Sequence, residues 1–256
     1  MKIKKLYNSC LFYWVIISFL FITLTGCGGL TGKNAVTENQ SAVALVKWTR
    51  VSGDNMVNIP VNYGTRGVAS STNTPGSRFG SISWSDSKGN LWLFGGDSGK
   101  NAQKLHNDLW KFDGTNWTWI SGDSNANQPA NYGTRGVAAG TNIPGARYGS
   151  VSWTDSKDNL WLFGGYGYGP KKQKGYLNDL WKFDGKNWTW VSGDNTTDHS
   201  GIYGTKGVAN DTNKPGTRID SMSWVDSKGN LWLFGGAGQA GKGFWGRLND
   251  MWKFEP

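Results

Sequence analysis

Cysteine is nearly missing from this sequence: Cys10 and Cys27 are the only two in 256 residues. Histidine is as scarce, with His106 and His199 alone, and glutamate occurs only at Glu38 and Glu255. Past residue 45 no stretch carries apolar residues at helical spacing. The one long apolar run, Leu11 to Leu24, is broken by Ser18 and Thr23. Each shortage excludes something. An exported chain can use disulfides, but a lone cysteine beyond residue 26 has nothing to pair with. Any acid or base chemistry would fall to aspartate or to the two histidines. The apolar run is shorter than the roughly 20 residues that span a bilayer, and it has the length of a signal-peptide core behind Lys2, Lys4 and Lys5.

That run ends in Leu24-Thr25-Gly26-Cys27. The tetrapeptide is similar to the bacterial lipobox, in which small residues precede a cysteine that is acylated and becomes the new N-terminus. The resemblance implies a lipoprotein signal at 1–26, cleavage before Cys27 and lipidation of Cys27. Gly28 and Gly29 follow, with no aspartate to retain the protein at an inner membrane. The implied location is the cell envelope, at the outer membrane or cell surface. Cleavage removes three lysines and no acid, so the formal charge falls from +9 to +6 and 230 residues remain. Residues 27–45, rich in Gly, Thr, Asn, Ser and Ala, read as a flexible tether.

What the chain does have is a threefold repeat over residues 46–256. Trp48-Thr-Arg-Val-Ser-Gly-Asp54 returns from Trp117 and from Trp188. Tyr63-Gly-Thr-Arg-Gly-Val-Ala69 returns from Tyr132 and Tyr203, Leu91-Trp-Leu-Phe-Gly-Gly96 from Leu160 and Leu231, and Asn107-Asp-Leu-Trp-Lys-Phe112 from Asn178 and Asn249. Each copy holds four strand-like pieces separated by turn residues such as Asp86-Ser-Lys-Gly-Asn90 and Asp113-Gly114. The fold class is therefore all-β, with three four-stranded antiparallel repeats of about 70 residues. The Phe-Gly-Gly after a buried strand, the Trp-Lys-Phe strand and the Trp-Thr-Trp strand resemble the kelch repeat of β-propellers, as in the central domain of galactose oxidase. Kelch copies run near 50 residues, and the excess here lies between the outer strand of one copy and the inner strand of the next.

Fourteen of the 16 tryptophans occupy repeat slots, all but Trp14 and Trp245, and read as packing rather than as a sugar platform. The chain opens with a fourth-strand copy at 46–51 and its last third-strand copy is at 249–254, so the two can complete one blade. Either three enlarged blades close, or two chains form a homodimer with a six-bladed ring, or the array stays an open half-ring.

Strand alternation sends the second-to-third loops to one face, and these loops, 97–106, 166–177 and 237–248, differ most between copies. They hold Lys100, Lys104, Lys171, Lys172, Lys174, Lys242 and Arg247 against Asp97, which equals the whole excess charge after cleavage. Tyr166, Tyr168, Tyr176, Phe244 and Trp245 lie in the same loops. The candidate ligand-binding residues are thus Lys171, Lys172, Lys174, Lys242, Arg247, Tyr168 and Trp245, suited to an anionic glycan or an acidic protein. Export argues against nucleic acid. Arg78, Arg147 and Arg218, and Arg66, Arg135 and Lys206, recur in every copy and read as structural partners of repeated aspartates, with an anion site at a central opening as the alternative.

Among kelch propellers a glycan-modifying enzyme is the alternative to a binding or adhesion module. The copper-radical chemistry that the resemblance carries needs a tyrosine cross-linked to cysteine and histidine ligands, and residues 28–256 hold no cysteine. No metal or cofactor is expected. Asp220, which stands where the other copies have Gly80 and Gly149, forms with His199 the least unsuitable catalytic pair. The Asp86–Asn90 turn lacks the acid count of a calcium loop.

Overall fold

A computed structural model describes residues 47–101 and 103–256. Cys27, the signal segment and the tether lie outside the described residues. Among the described residues no helix is long and apolar enough to cross a membrane, which says nothing of a β-barrel.

The chain is all-β, and its strands come in three antiparallel sets that follow the three sequence copies. In repeat 1, β1 (Ile82–Ser85), β2 (Leu91–Phe94), β3 (Leu109–Phe112) and β4 (Trp117–Ser121) pair in that order. Repeat 2 holds β5 (Arg147–Tyr148), β6 (Val151–Thr154), β7 (Leu160–Tyr168), β8 (Lys174–Phe183) and β9 (Trp188–Ser192). Both β5 and β6 pair with β7. Repeat 3 holds β10 (Arg218–Ile219), β11 (Met222–Val225), β12 (Leu231–Phe234), β13 (Ala237–Gln239), β14 (Trp245–Arg247) and β15 (Met251–Phe254), with sheet order β11-β12-β15.

Each sheet starts at the same turn. Asp86 accepts hydrogen bonds from the amides of Lys88 and Asn90, from Asn90 Nδ2 and from Trp92 Nε1 at 2.8–3.0 Å. Asp155 and Asp226 repeat the pattern. Both carboxylate oxygens are thereby used within the turn, and the pKa of Asp86 is lowered because these donors outweigh the burial that would raise it.

The extra residues of the long period fold back on their own repeat. The amide of Gly67 donates to the carbonyl of Trp119 and that of Gly136 to Trp190, both at 2.8 Å, so the segments from Tyr63 and Tyr132 lie along the outer strands β4 and β9. They cover strand edges that would otherwise be open to pairing. Gly133 is required here: it has φ +59, and a Cβ would stand 2.2 Å from Oδ1 of Asn142, the side chain that bonds this segment to Trp188.

Repeat 3 departs from the expectation. Residues 47–51 form no strand, Trp48 is 99% exposed, and β15 has no neighbour on its outer side among the described residues. Among the described residues β15 pairs with β12 alone. The cation–ring contact of the other two repeats has no equivalent in this slot. Arg66 and Arg135 stack on Trp119 and Trp190 at 4.2 and 4.3 Å. The corresponding pair would be Lys206 with Arg50, two like charges in place of a cation on a ring.

Two cores result, each between successive sheets. Ile82, Trp84, Phe94 and Leu109 of repeat 1 pack with Leu160, Leu162, Trp181 and Phe183 of repeat 2. Val151, Trp153, Phe163 and Leu180 of repeat 2 pack with Leu231 and Leu233 of repeat 3, against Trp252 and Phe254.

Candidate functional site

The repeated arginines are anchors. Arg147 is 1% exposed and grips Asp179 with two hydrogen bonds of 2.6 and 2.8 Å. Asp179 also accepts from Trp181 Nε1 and from the Tyr132 hydroxyl, both at 2.7 Å. Arg78 with Asp108, Trp110 and Tyr63 repeats the cluster, and so does Arg218 with Asp250, Trp252 and Tyr203. Burial alone would raise the pKa of Asp108 and Asp250, but the arginine bonds outweigh it and hold both below the ordinary value. Burial, and then the same carboxylates, push the hydroxyls of Tyr63 and Tyr203 up, Tyr203 to about 12. Four hydrogen bonds from Arg147, and four from Arg218, go to the carboxylate and backbone carbonyls of the cluster, so these residues hold the fold.

One residue after each arginine, the chain turns. Phe79, Tyr148 and Ile219 follow Arg78, Arg147 and Arg218, and then come Gly80, Gly149 and Asp220 in left-handed conformation, with φ of 66, 67 and 54°. Tyr148 in β5 pairs with Tyr166 of β7. The segments read from sequence as loops are largely hairpin extensions. In repeat 2 the ladder continues through Tyr166↔Tyr176 to Tyr168↔Lys174. In repeat 3, β13 and β14 form the equivalent hairpin. In repeat 1 the described residues form at this place the bridge Asp97↔Leu105.

These hairpins bring aromatic rings into a row. Phe79 and Tyr148 have centroids 6.2 Å apart, Tyr148 and Tyr166 5.8 Å, Tyr166 and Tyr176 4.7 Å, and Tyr176 and Trp245 4.0 Å. The row runs from repeat 1 through repeat 2 to repeat 3. It borders a hollow of about 580 Å³ lined by Phe79, Asp97, Gly99, Asn101, Tyr148, Tyr166 and Tyr176. The pKa values of Tyr148 and Tyr176 are raised, chiefly by burial, so their hydroxyls stay protonated at neutral pH. Asp97 Oδ1 accepts from the amides of Gly99 and Lys104 and shapes the rim.

The sequence-derived candidates fall unevenly around this row. Trp245 closes it. Lys174 lies 5.5 and 5.6 Å from the rings of Tyr166 and Tyr168. Lys171 and Lys172 are exposed in the short turn Pro170–Lys172 at the tip of the repeat 2 hairpin, both with positive φ. Lys242 has the same place and conformation in repeat 3, in Gly241–Gly243, and Arg247 is exposed in β14. Asp220 and His199 do not meet in a hydrogen bond or ion pair. Asp220 lies beside Gly149 and Tyr148, while His199 Nε2 contacts Thr196 Oγ1 at 2.5 Å and Nδ1 faces Asp194 at 3.9 Å. Among the described residues no three His, Cys, Asp or Glu side chains gather at a metal-binding distance.

Phe79 and Tyr148 were not among the candidates. The sequence offers one signal for them, that both directly follow the repeated arginine; in the structure Phe79 is 73% exposed.

No family model and no curated protein sequence matches this chain. Among solved structures, that of YjhT aligns over 65% of this chain and 36% of its own length, at 17% identity and a TM-score of 0.41. A fungal alcohol oxidase of the AA5 family, in complex with copper, aligns over 72% of this chain and 33% of its own length, at 12% identity and a TM-score of 0.40. This chain thus spans about a third of the length of each.

Proposed function

We propose that this protein is an exported, lipid-anchored binding module made of kelch-type propeller blades, and that its ligand is an anionic glycan seated along the aromatic row. The observation that carries this reading is the unbroken line of five rings from Phe79 to Trp245 beside the 580 Å³ hollow. Sugar rings present flat C–H faces that stack on aromatic side chains, and phenol hydroxyls supply the few oriented polar contacts a concave site needs. Lys171, Lys172 and Lys174 at one hairpin tip, and Lys242 and Arg247 on the next, add attraction for a negative ligand. Lipidation at Cys27 would hold the module on the envelope, since each buried methylene contributes about 0.8 kcal/mol and two or three chains anchor firmly. A glycan-modifying enzyme would need an acid or base in the hollow, where Asp97, its Oδ1 held by two amides, is the carboxylate among the lining residues.

The test is an array of acidic and neutral glycans probed with the wild type and two variants. Tyr176→Ala with Trp245→Ala should abolish binding at any ionic strength. The triple change of Lys171, Lys172 and Lys174 to Ser should weaken binding to acidic glycans about tenfold in low salt and much less in high salt, where screening shortens to about 3 Å at 1 M. A ligand whose affinity ignores the aromatic pair sinks the proposal.

A further inference from the structure

Successive sheets meet by one rule, used twice. Trp84 Nε1 donates to the carbonyl of Trp161, and Trp153 Nε1 to that of Trp232, both at 2.9 Å. Ser152 Oγ donates to Ser83 O and Ser223 Oγ to Ser152 O. The amide of Gly149 donates to Gly80 O and that of Asp220 to Gly149 O. Each sheet therefore has one face and one set of donors for the repeat before it, and another for the repeat after it.

Among the described residues the two end faces are left open, and they are opposite halves of that junction. On repeat 3, Trp224 is 49% exposed where Trp84 and Trp153 are 5% and 6%, and Met251 is 57% exposed where Leu109 and Leu180 are 0% and 6%. On repeat 1, Leu91 is 50% exposed where Leu160 and Leu231 are 1% and 2%. The indole N–H of Trp224 has no acceptor among the described residues, and its counterpart would be the carbonyl at the Trp92 slot. The amide of Gly80 has no acceptor either, and its counterpart would be the carbonyl of Asp220. A second observation agrees. Gly53 holds the left-handed turn of Gly122 and Gly193, with φ of 87, 91 and 82°. Those two glycines press on the backbone of Asn107 and Asn178 in the repeat they leave, whereas nothing lies within 4 Å of Gly53. The repeat it is shaped to leave has Asn249 in that slot.

We propose that a second copy of this chain fills both ends, with repeat 1 of each copy stacked on repeat 3 of the other. The contact is head to tail, and two copies satisfy both ends with six repeats, inside the range of four to eight known for closed propellers. Exposed Trp224, Met222 and Met251 then become a core like the two already present. This proposal does not depend on what the aromatic row binds.

The test uses the full chain carrying two different tags, co-expressed and purified in mild detergent. The wild type should form a two-chain particle in which each tag recovers the other. Trp224→Asp and Leu91→Asp, changes at exposed positions of the single chain, should each abolish it while leaving the far-ultraviolet circular dichroism unchanged. Mixing the two variants should restore a two-chain particle, because one junction then joins two unaltered faces. The pair Ser83→Cys with Ser223→Cys should cross-link between differently tagged copies, against a background set by the native cysteines. A single-chain mass for the wild type, a cross-link confined to one chain, failure of the mixture to rescue, or open polymers would each overturn the closed pair.

Discussion

Repeats 2 and 3 are written in nearly the same residues and end in different environments. Around Asp179 the arginine, tyrosine and tryptophan partners are all buried, and Tyr132 is 6% exposed. Around Asp250 the same four residue types make the same bonds, yet Tyr203 is 37% exposed and the Asp250 side chain 13%. Hydrogen-bond geometry alone would rate the two clusters alike. The difference lies in what stands outside them. Among the described residues repeat 2 has a fourth strand and a neighbour on each face, and repeat 3 has neither a fourth strand nor a second neighbour. A charged pair in water's reach keeps part of its solvation when one partner is removed, while a pair sealed from water does not.

The strongest way to break this comparison is to cut both arginines. Arg147→Ala leaves Asp179 charged and unpaired in the interior and should cost about 3–5 kcal/mol. Arg218→Ala should cost less, about 1–3 kcal/mol, because water can reach Asp250. Urea unfolding of the two variants measures the gap, and equal losses would mean that burial is not what separates the clusters. Next come the tyrosines. Tyr132→Phe removes a hydrogen bond to a buried carboxylate, worth about 1.5–3 kcal/mol, and Tyr203→Phe should cost about 1 kcal/mol or less. If self-association covers repeat 3, both gaps should narrow as protein concentration rises.

The smallest effect is a titration. Asp108 and Asp250 have pKa values held below the ordinary 3.8. As pH falls, the unfolded chain takes up their protons first, so stability is complete above about 4 and declines below it as the folded values are approached. The melting temperature should therefore drop on the acid side of pH 4, and Asp250→Asn should remove part of that slope. A melting temperature flat from pH 5 to pH 2 would contradict the assignment.

The strands, their order within each repeat and the structural role of the arginines were legible in the sequence because each feature occurs three times. Repetition separates a packing slot from an accident: Trp84, Trp153 and Trp224 define a slot even though only two of them are covered. The aromatic row was only half legible, because it is built from singular residues. Tyr166, Tyr176 and Trp245 stood out as aromatics beyond the repeat, but nothing in the sequence places Tyr148 beside them. That placement depends on the left-handed turn at Gly149, which sets β5 against the far end of β7. The hairpin extensions are hidden in the sequence for a related reason. Gly-Tyr-Gly-Tyr-Gly-Pro reads as loop composition, and only the ladder Tyr166↔Tyr176 shows it as strand. Residues 47–51 carry the fourth-strand motif without forming a strand, and Arg50 stands in the slot that Trp119 and Trp190 fill.

Stacking by a rule that joins only nearest neighbours has a consequence for cooperativity. In such an array, stability is close to a sum of the intrinsic worth of each repeat and the worth of each junction. Repeat 2 takes part in two junctions, and repeats 1 and 3 in one each. Amide exchange should therefore be slowest along β7 and β8 and should quicken toward β11 and β15, so that the single chain opens from repeat 3 inward.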